Sequence, residues 1–413
     1  MSRTAWLVAL AGSIFGIDIA AHADVVIEWN HVAAVISSEE SKAHSEPSMK
    51  WSPKEDVEEI VAVAIFQAVN TIHPRYTPFR TALSAPAAGD ASAVVAAAAA
   101  AHAALASIYP DRKAALDDAF DIMLADEVQG TARSSGIDVG ERAAAQVIAA
   151  RITDNSGAPP PLRIAAPPGQ WVPTTPNKIP PYYWSAKPWL LNSAAQFRPR
   201  PPVGLASAAW ARDYVETRDL GALNSSVRTA EWTRLAKFYS YWQRWPLVDQ
   251  VAAAPGRTLE QNARLYALVA LAMADADQAM VDGKLTYSFW RPLTAIRNGD
   301  QDGNAATERQ ADWEPLLKTP MHPEYPCGHC VVIWSLITVL AADGPPPGRR
   351  IAVTSDAMPG VVRYVDSYAQ LGQEISLSRI YAGAHFRSST EAGAELGRQV
   401  AAFAVREFLK PIP

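Results

Sequence analysis

Apolar residues recur with a helical period over most of this chain. Val57, Ile60, Val61, Ala64, Ile65, Ala68 and Val69 fall on one face of a 3.6-residue repeat, which predicts a helix over 57–72 that Pro74 stops. Residues 87–108 are so rich in alanine that helix is their default state, and Pro110 ends the run. Asp111 can cap a further helix reaching residue 125, and 139–152 carries another apolar stripe. Small alanine faces let helices approach closely, so this half reads as a tight bundle. Helical patterns return at 206–219, 231–242, 259–281, 330–342, 361–376 and 389–409, while 300–311 is polar and glycine-bearing and reads as a loop. No alternating strand pattern and no internal repeat interrupts this series.

Between residues 158 and 205 the texture differs. Prolines recur every few positions among Trp171, Tyr182, Tyr183, Trp184, Trp189 and Phe197. Proline removes helix donors, and a disordered linker would lack so many rings, so an ordered, extended strap with docked aromatics is expected. The expected architecture is all-α, with two packed helical bundles at 24–157 and 206–413 joined by this strap. Residues 1–23 read as a secretory signal. Arg3 precedes an apolar run over 5–20, and Ala21-His22-Ala23 offers a small-x-small cleavage site before Asp24. A periplasmic or secreted location follows, and no later stretch is apolar for long enough to predict a membrane span.

At 413 residues with 49% hydrophobic and 19% charged side chains, the chain is long and apolar enough for a large packed core. Its 37 basic and 42 acidic residues leave a net charge of −5, which argues against a nucleic-acid partner. Two cysteines allow at most one bridge.

Three segments in the last third are chemically unusual. Lys284 and Arg291 lie seven apart, so a helix continuing to Pro292 would carry both cations on one face. The segment His322-Pro-Glu-Tyr-Pro-Cys327-Gly328-His329-Cys330 leads straight into an apolar helix, whose free N–H groups favour an anion. Ser378-Arg379 is followed by His385 and then by Ser388 and Glu391, which are spaced as a capping box. Six residues between Arg379 and His385 is not a same-face spacing, so a turn must separate them if both face one site. Three fixed cations, a glycine at a helix start and two histidines make a site for a tetrahedral oxyanion.

These motifs, Lys-x6-Arg-Pro, then Pro-small-Gly-His, then Ser-Arg-x5-His, resemble the signature of the vanadium-dependent haloperoxidase and type 2 phosphatidic acid phosphatase superfamily. Residues 64–70, 289–296 and 322–326 look like its bacterial haloperoxidase-related branch. The resemblance implies two helical bundles, with Lys284, Arg291 and Arg379 holding the oxygens of vanadate or phosphate beside the Gly328 amide. It makes His385 the vanadium ligand of a peroxidase or the nucleophile of a phosphatase, and His329 the acid–base. His322 matches a halide-pocket position that is histidine in bromoperoxidases, so bromide or iodide is expected over chloride. Substrates are then hydrogen peroxide and halide with a vanadate cofactor, or a phosphate ester with none. A third reading is oxyanion binding with little catalysis.

Two departures bear on the chemistry. Cys327 replaces the family's usual serine, which puts an oxidisable thiol beside peroxide unless Cys330 closes a disulfide with it. Ser389 stands where the phosphatase branch often has an aspartate that orients the last histidine. The four letters Cys-Gly-His-Cys also occur in protein disulfide isomerases, but no βαβ pattern surrounds them here, and zinc binding would crowd its ligands into nine residues.

Overall fold

The computed structural model describes residues 24–43, 52–83, 90–154, 167–174, 186–344 and 350–413. The expected signal at 1–23 and parts of the expected strap, including Tyr182, Tyr183 and Trp184, lie outside the described residues. The chain forms α1 (Val25–Ala43), α2 (Val57–Ile72), α3 (Ala93–Ile108), α4 (Lys113–Met123) and α5 (Thr131–Asp154). Next come α6 (Ala208–Gly221), α7 (Ala230–Phe238), α8 (Trp245–Ala252), α9 (Leu259–Tyr287) and α10 (Pro292–Arg297). After α11 (Gly328–Asp343) come strands β1 (Ile351–Thr354) and β2 (Val362–Val365), then α12 (Tyr368–Tyr381) and α13 (Arg387–Glu407). The expected all-α class holds, since the strands form one short antiparallel hairpin. Among the described residues, no single helix is long and apolar enough to cross a membrane.

The chain divides into two compact units. One comprises Met1–Ala158, Trp245–Ala274 and Ala404–Pro413. Its centre is α3, which packs on α2 and α5. Ser92 caps α3 by accepting from the Val95 amide at 3.3 Å, and Ala96 to Ala101 are buried. The close approach is absolute at Gly140 of α5, where a Cβ would stand 2.5 Å from the Ala96 carbonyl oxygen. Buried Gln67 and Asn70 of α2 bond the turn that follows, through the Phe79 amide at 3.0 Å and the Tyr76 amide at 2.9 Å. The segment 245–274 belongs here although it was expected with the C-terminal bundle. Trp245 donates to Glu58 at 2.7 Å, and His31 meets Asp249 at 2.8 Å.

The other unit comprises Pro159–Arg244 and Asp275–Phe403. Its helix α11 is buried along most of its length, from Cys330 to Leu340, and packs on α12, which in turn packs on α7. The strap is bound here at both described ends. Gln170 bridges Phe289, and the Asp275 carboxylate accepts from the amides of Trp189, Leu190 and Leu191 at 2.6–2.8 Å. Residues 361–376 do not form one helix. Val362–Val365 pairs with Ile351–Thr354, and α12 starts only after Ser367, whose Oγ accepts from the Gln370 amide at 3.1 Å. The predicted helix took the short strand Val362–Val365, with its β-branched ends, for its first turn.

Candidate active site

All the residues singled out from the sequence lie in this second unit. Lys284 sits in the last turn of α9, which ends three residues later where Ser288 adopts a φ of +43°. Arg291 therefore does not continue that helix. It caps the start of α10, and Pro292 opens α10 where it had been expected to close α9. This follows from proline's fitness for the first helical position, where its missing donor is not needed.

Cys327 caps α11, its Sγ accepting from the Cys330 amide at 3.4 Å, and Gly328 and His329 form the first turn. Cys327 and Cys330 are joined in a disulfide. Cys327 thus has no thiol proton to give an oxyanion, contrary to its expected place among the donors, and no thiolate to offer zinc. Arg379 lies in the last turn of α12. The chain then reverses at Gly383, whose φ is +70° and where a Cβ would stand 2.6 Å from the Gly221 carbonyl oxygen. This turn lets the amides of both Ala384 and His385 bond the Arg379 carbonyl, at 3.1 and 3.3 Å, before α13 begins.

These turns build a buried network of cations, imidazoles and one carboxylate. Lys284 Nζ donates to the carbonyls of Pro323, Glu324 and Pro326 at 3.0, 3.0 and 2.6 Å. Burial and Arg291 push its pKa well down, yet three acceptors take its three protons. Arg291 donates from Nε to the His322 carbonyl at 2.8 Å and from Nη1 to the Ala384 carbonyl at 2.9 Å. Its Nη1 is also 3.1 Å from His385 Nε2, and its Nη2 is 2.9 Å from His322 Nδ1.

An arginine can only donate, so His385 Nε2 must be the acceptor and its proton must sit on Nδ1. That proton is held by Glu324 Oε1 at 2.7 Å. His385 is accordingly neutral, and burial followed by the Arg291 charge pushes its pKa well below the ordinary histidine value. Burial also lifts the Glu324 carboxyl to about 7 against the pull of Arg291 and Lys284.

Arg379 differs from the other two cations. It is 4% exposed, and its Nε and Nη1 have no partner among the described residues. Burial, then the neighbouring Arg291, lower it to about 10. His329 keeps part of its surface open and bonds the Ser240 carbonyl through Nε2 at 3.2 Å. Burial, with Arg379 as the next cause, lowers it to about 3. His322 is likewise held neutral by burial and Arg291. An aromatic cluster containing Trp210, Phe289, Trp290, Tyr325 and Phe386 backs the site, with Trp210 and Phe386 centroids 4.8 Å apart.

Sequence reasoning missed Glu324. It looked for an orienting carboxylate four residues after His385 and found Ser389, whereas the carboxylate arrives from a different loop. Its signal was present in the His322-Pro-Glu-Tyr-Pro326 segment, where an acidic residue sits between two prolines just ahead of a buried helix.

Residues 264–412 match the family model described as the VCPO second helical-bundle domain. The solved structure of the first bacterial vanadium-dependent iodoperoxidase is similar at 22% identity, with a TM-score of 0.72, covering 94% of this chain and 96% of that one. Holo-type bacterial vanadium-dependent chloroperoxidase is similar at 16% identity with a TM-score of 0.65, covering 87% of this chain and 95% of that one. Its apo-type structure gives 16% and 0.64 over 89% and 96%. No curated protein matches the chain in sequence. The chain thus shares the fold of these bacterial vanadium-dependent haloperoxidase structures over most of its length, and residues 264–412 carry the family-model match.

Proposed function

We propose that this vanadium haloperoxidase-related fold oxidises iodide or bromide with hydrogen peroxide, on a vanadate held at His385. The observation that carries this reading is Arg379, a buried guanidinium with two unpaired N–H groups beside an imidazole whose proton is already committed. An unmade hydrogen bond on a buried charge is costly, and a tetrahedral oxyanion would satisfy it. Vanadate fits this donor set, because Lys284, Arg291 and Arg379 outnumber the one carboxylate of Glu324 and a bound anion offsets their excess. When bound, vanadate supplies the Lewis acid that activates peroxide toward halide.

The chain's own residues prepare that chemistry. Glu324 holds the Nδ1 proton of His385, which turns the Nε2 lone pair into the ligand. Arg379 donates to the oxyanion's oxygens, and Arg291 can turn its Nη1 from His385 Nε2 to another oxygen. His329 gives its Nε2 proton to Ser240, so its Nδ1 is free to accept a proton from peroxide. The three cations suppress that basicity, and a bound anion would restore it. His322, held against Arg291, would border the halide, and the iodoperoxidase likeness supports iodide alongside bromide. We read the chain as exported, since a disulfide persists best in an oxidising compartment.

Phosphate ester hydrolysis is the second reading, favoured by Glu324, which gives His385 the oriented lone pair of a nucleophile. A paired assay separates the two. Vanadate-dependent bromination or iodination of a dye supports the first, and vanadate-inhibited ester hydrolysis without halogenation replaces it with the second. His385→Ala should abolish either activity, and turnover that survives the change would overturn the site assignment.

A further inference from the structure

We infer that Cys327 and Cys330 form a redox-active pair that reduces hydrogen peroxide in a reaction of its own, separate from halide oxidation. The disulfide spans a sequence separation of only three. Closing so small a loop is the least that a bridge can do for stability, because the constraint on the unfolded chain grows with loop length. Its position is chemical instead. The pair brackets Gly328 and His329, both partly open, while both cysteines are buried just beneath them. A small oxidant that reaches Gly328 and His329 is therefore next in the chain to Cys327 on one side and to Cys330 on the other.

The two sulfurs are not equivalent. Cys327 Sγ faces the Cys330 amide at the start of α11, where unpaired amides favour an anion. The Lys284 ammonium is bonded to the carbonyl of the preceding residue, Pro326, at 2.6 Å. In the reduced chain Cys327 is thus the attacking sulfur and Cys330 the resolving one. The Cys327 sulfur attacks one peroxide oxygen, the O–O bond breaks, and the departing hydroxide is protonated to water, leaving a sulfenic acid. Cys330 then attacks that sulfur, the S–O bond breaks, and a second water leaves with the Cys330 proton. Two thiols and one peroxide give one disulfide and two waters, with two electrons passing from sulfur to oxygen. A small thiol or phosphine returns the pair to its reduced form.

Peroxide is chosen as oxidant because the proposed function brings it to this site, but the test needs neither vanadate nor halide. The folded protein is reduced with a phosphine, freed of reductant, and treated with one equivalent of hydrogen peroxide. Denatured samples are then titrated for thiols and weighed intact. The expected result is two thiols per chain after reduction and none after peroxide, with the mass lower by two hydrogens. In Cys330→Ser, a dimedone-type trap should label Cys327, and in Cys327→Ser it should leave Cys330 unlabelled. A pair that the phosphine cannot open in the folded protein, or two thiols that survive peroxide, would overturn the inference. Either outcome leaves the halide assay unaffected, so the two readings fail separately.

Discussion

Replacing Arg379 by methionine should make the protein more stable and unable to hold its oxyanion. Arg379 is buried, and its Nε and Nη1 go unpaired. Each unmade bond costs about 1–3 kcal/mol. A guanidinium pushed down to about 10 is disfavoured in its charged form by roughly 3 kcal/mol. Methionine keeps the apolar stem and removes both penalties, so we expect a gain of about 2 kcal/mol without anion, within the range seen when buried ions are replaced by apolar residues. With anion the sign reverses. Two charge-assisted bonds at about 1.5–3 kcal/mol each are lost, which is roughly a 10²- to 10⁴-fold drop in affinity. Urea unfolding followed by tryptophan fluorescence, with and without phosphate or vanadate, reads both effects. At a hundred times the dissociation constant the wild type should gain about 2.7 kcal/mol and the variant almost nothing. A variant less stable than wild type without anion, and stabilised equally by it, would refute the reasoning.

Glu324→Gln keeps the shape but weakens the acceptor on His385 Nδ1, so vanadate affinity or turnover should fall about 10–100-fold with little change in halide KM. The Glu324 carboxyl, lifted to about 7, keeps a proton that the unfolded chain releases in the ordinary carboxylate range. Its contribution to stability therefore declines as pH rises from about 4 to 7, and Glu324→Gln should lose that decline in urea midpoints. His329, lowered to about 3, acts with the opposite sign, and comparing the two proteins cancels it. Oxyanion binding should raise His329 and take up protons, so the calorimetric binding enthalpy should vary with buffer, and a buffer-independent enthalpy would exclude this. Gly383→Ala must accommodate a φ of +70° and a 2.6 Å approach to the Gly221 oxygen, so it should cost at least about 2 kcal/mol in unfolding experiments.

Helix periodicity made most of the fold legible, because a buried stripe at 57–72 or an alanine run before Pro110 leaves few alternatives. What stayed hidden depends on long-range contact. Helix α8 is a short helix recognisable only through its partners, His31 and Glu58. The same contacts place 245–274 with residues two hundred positions earlier. The strand Val362–Val365 has an apolar pattern too short to betray its period and is fixed by its pairing with Ile351–Thr354. At the site, spacing singled out side chains that the fold brings together, Arg291 with His322 and His385, but treated proximity in sequence as orientation. Glu324 escaped because an orienting carboxylate was sought downstream of His385 on α13, while the fold delivers one from the loop before α11.

The geometry also breaks the symmetry that the motif implies among its three cations. Lys284 has spent all three protons on the carbonyls of residues 323, 324 and 326, so its first task is to hold the loop that carries Glu324 and Cys327. Arg291 is divided between carbonyls and the lone pairs of His385 and His322, and it can serve an oxyanion only by exchanging an imidazole for an oxygen. Arg379 alone among the three has two unpaired donors. The donors should therefore engage in sequence, with Arg379 first, Arg291 on release of His385 Nε2, and Lys284 as a fixed charge behind the loop. Charge-conserving changes discriminate this order from a symmetric cage. Arg379→Lys should weaken anion binding most, because a point charge cannot present two donors in a fixed plane. Lys284→Arg should act chiefly on folding, because a planar fork cannot reach three carbonyls converging on one nitrogen. Equal losses of anion affinity from both would show that the cage is symmetric after all.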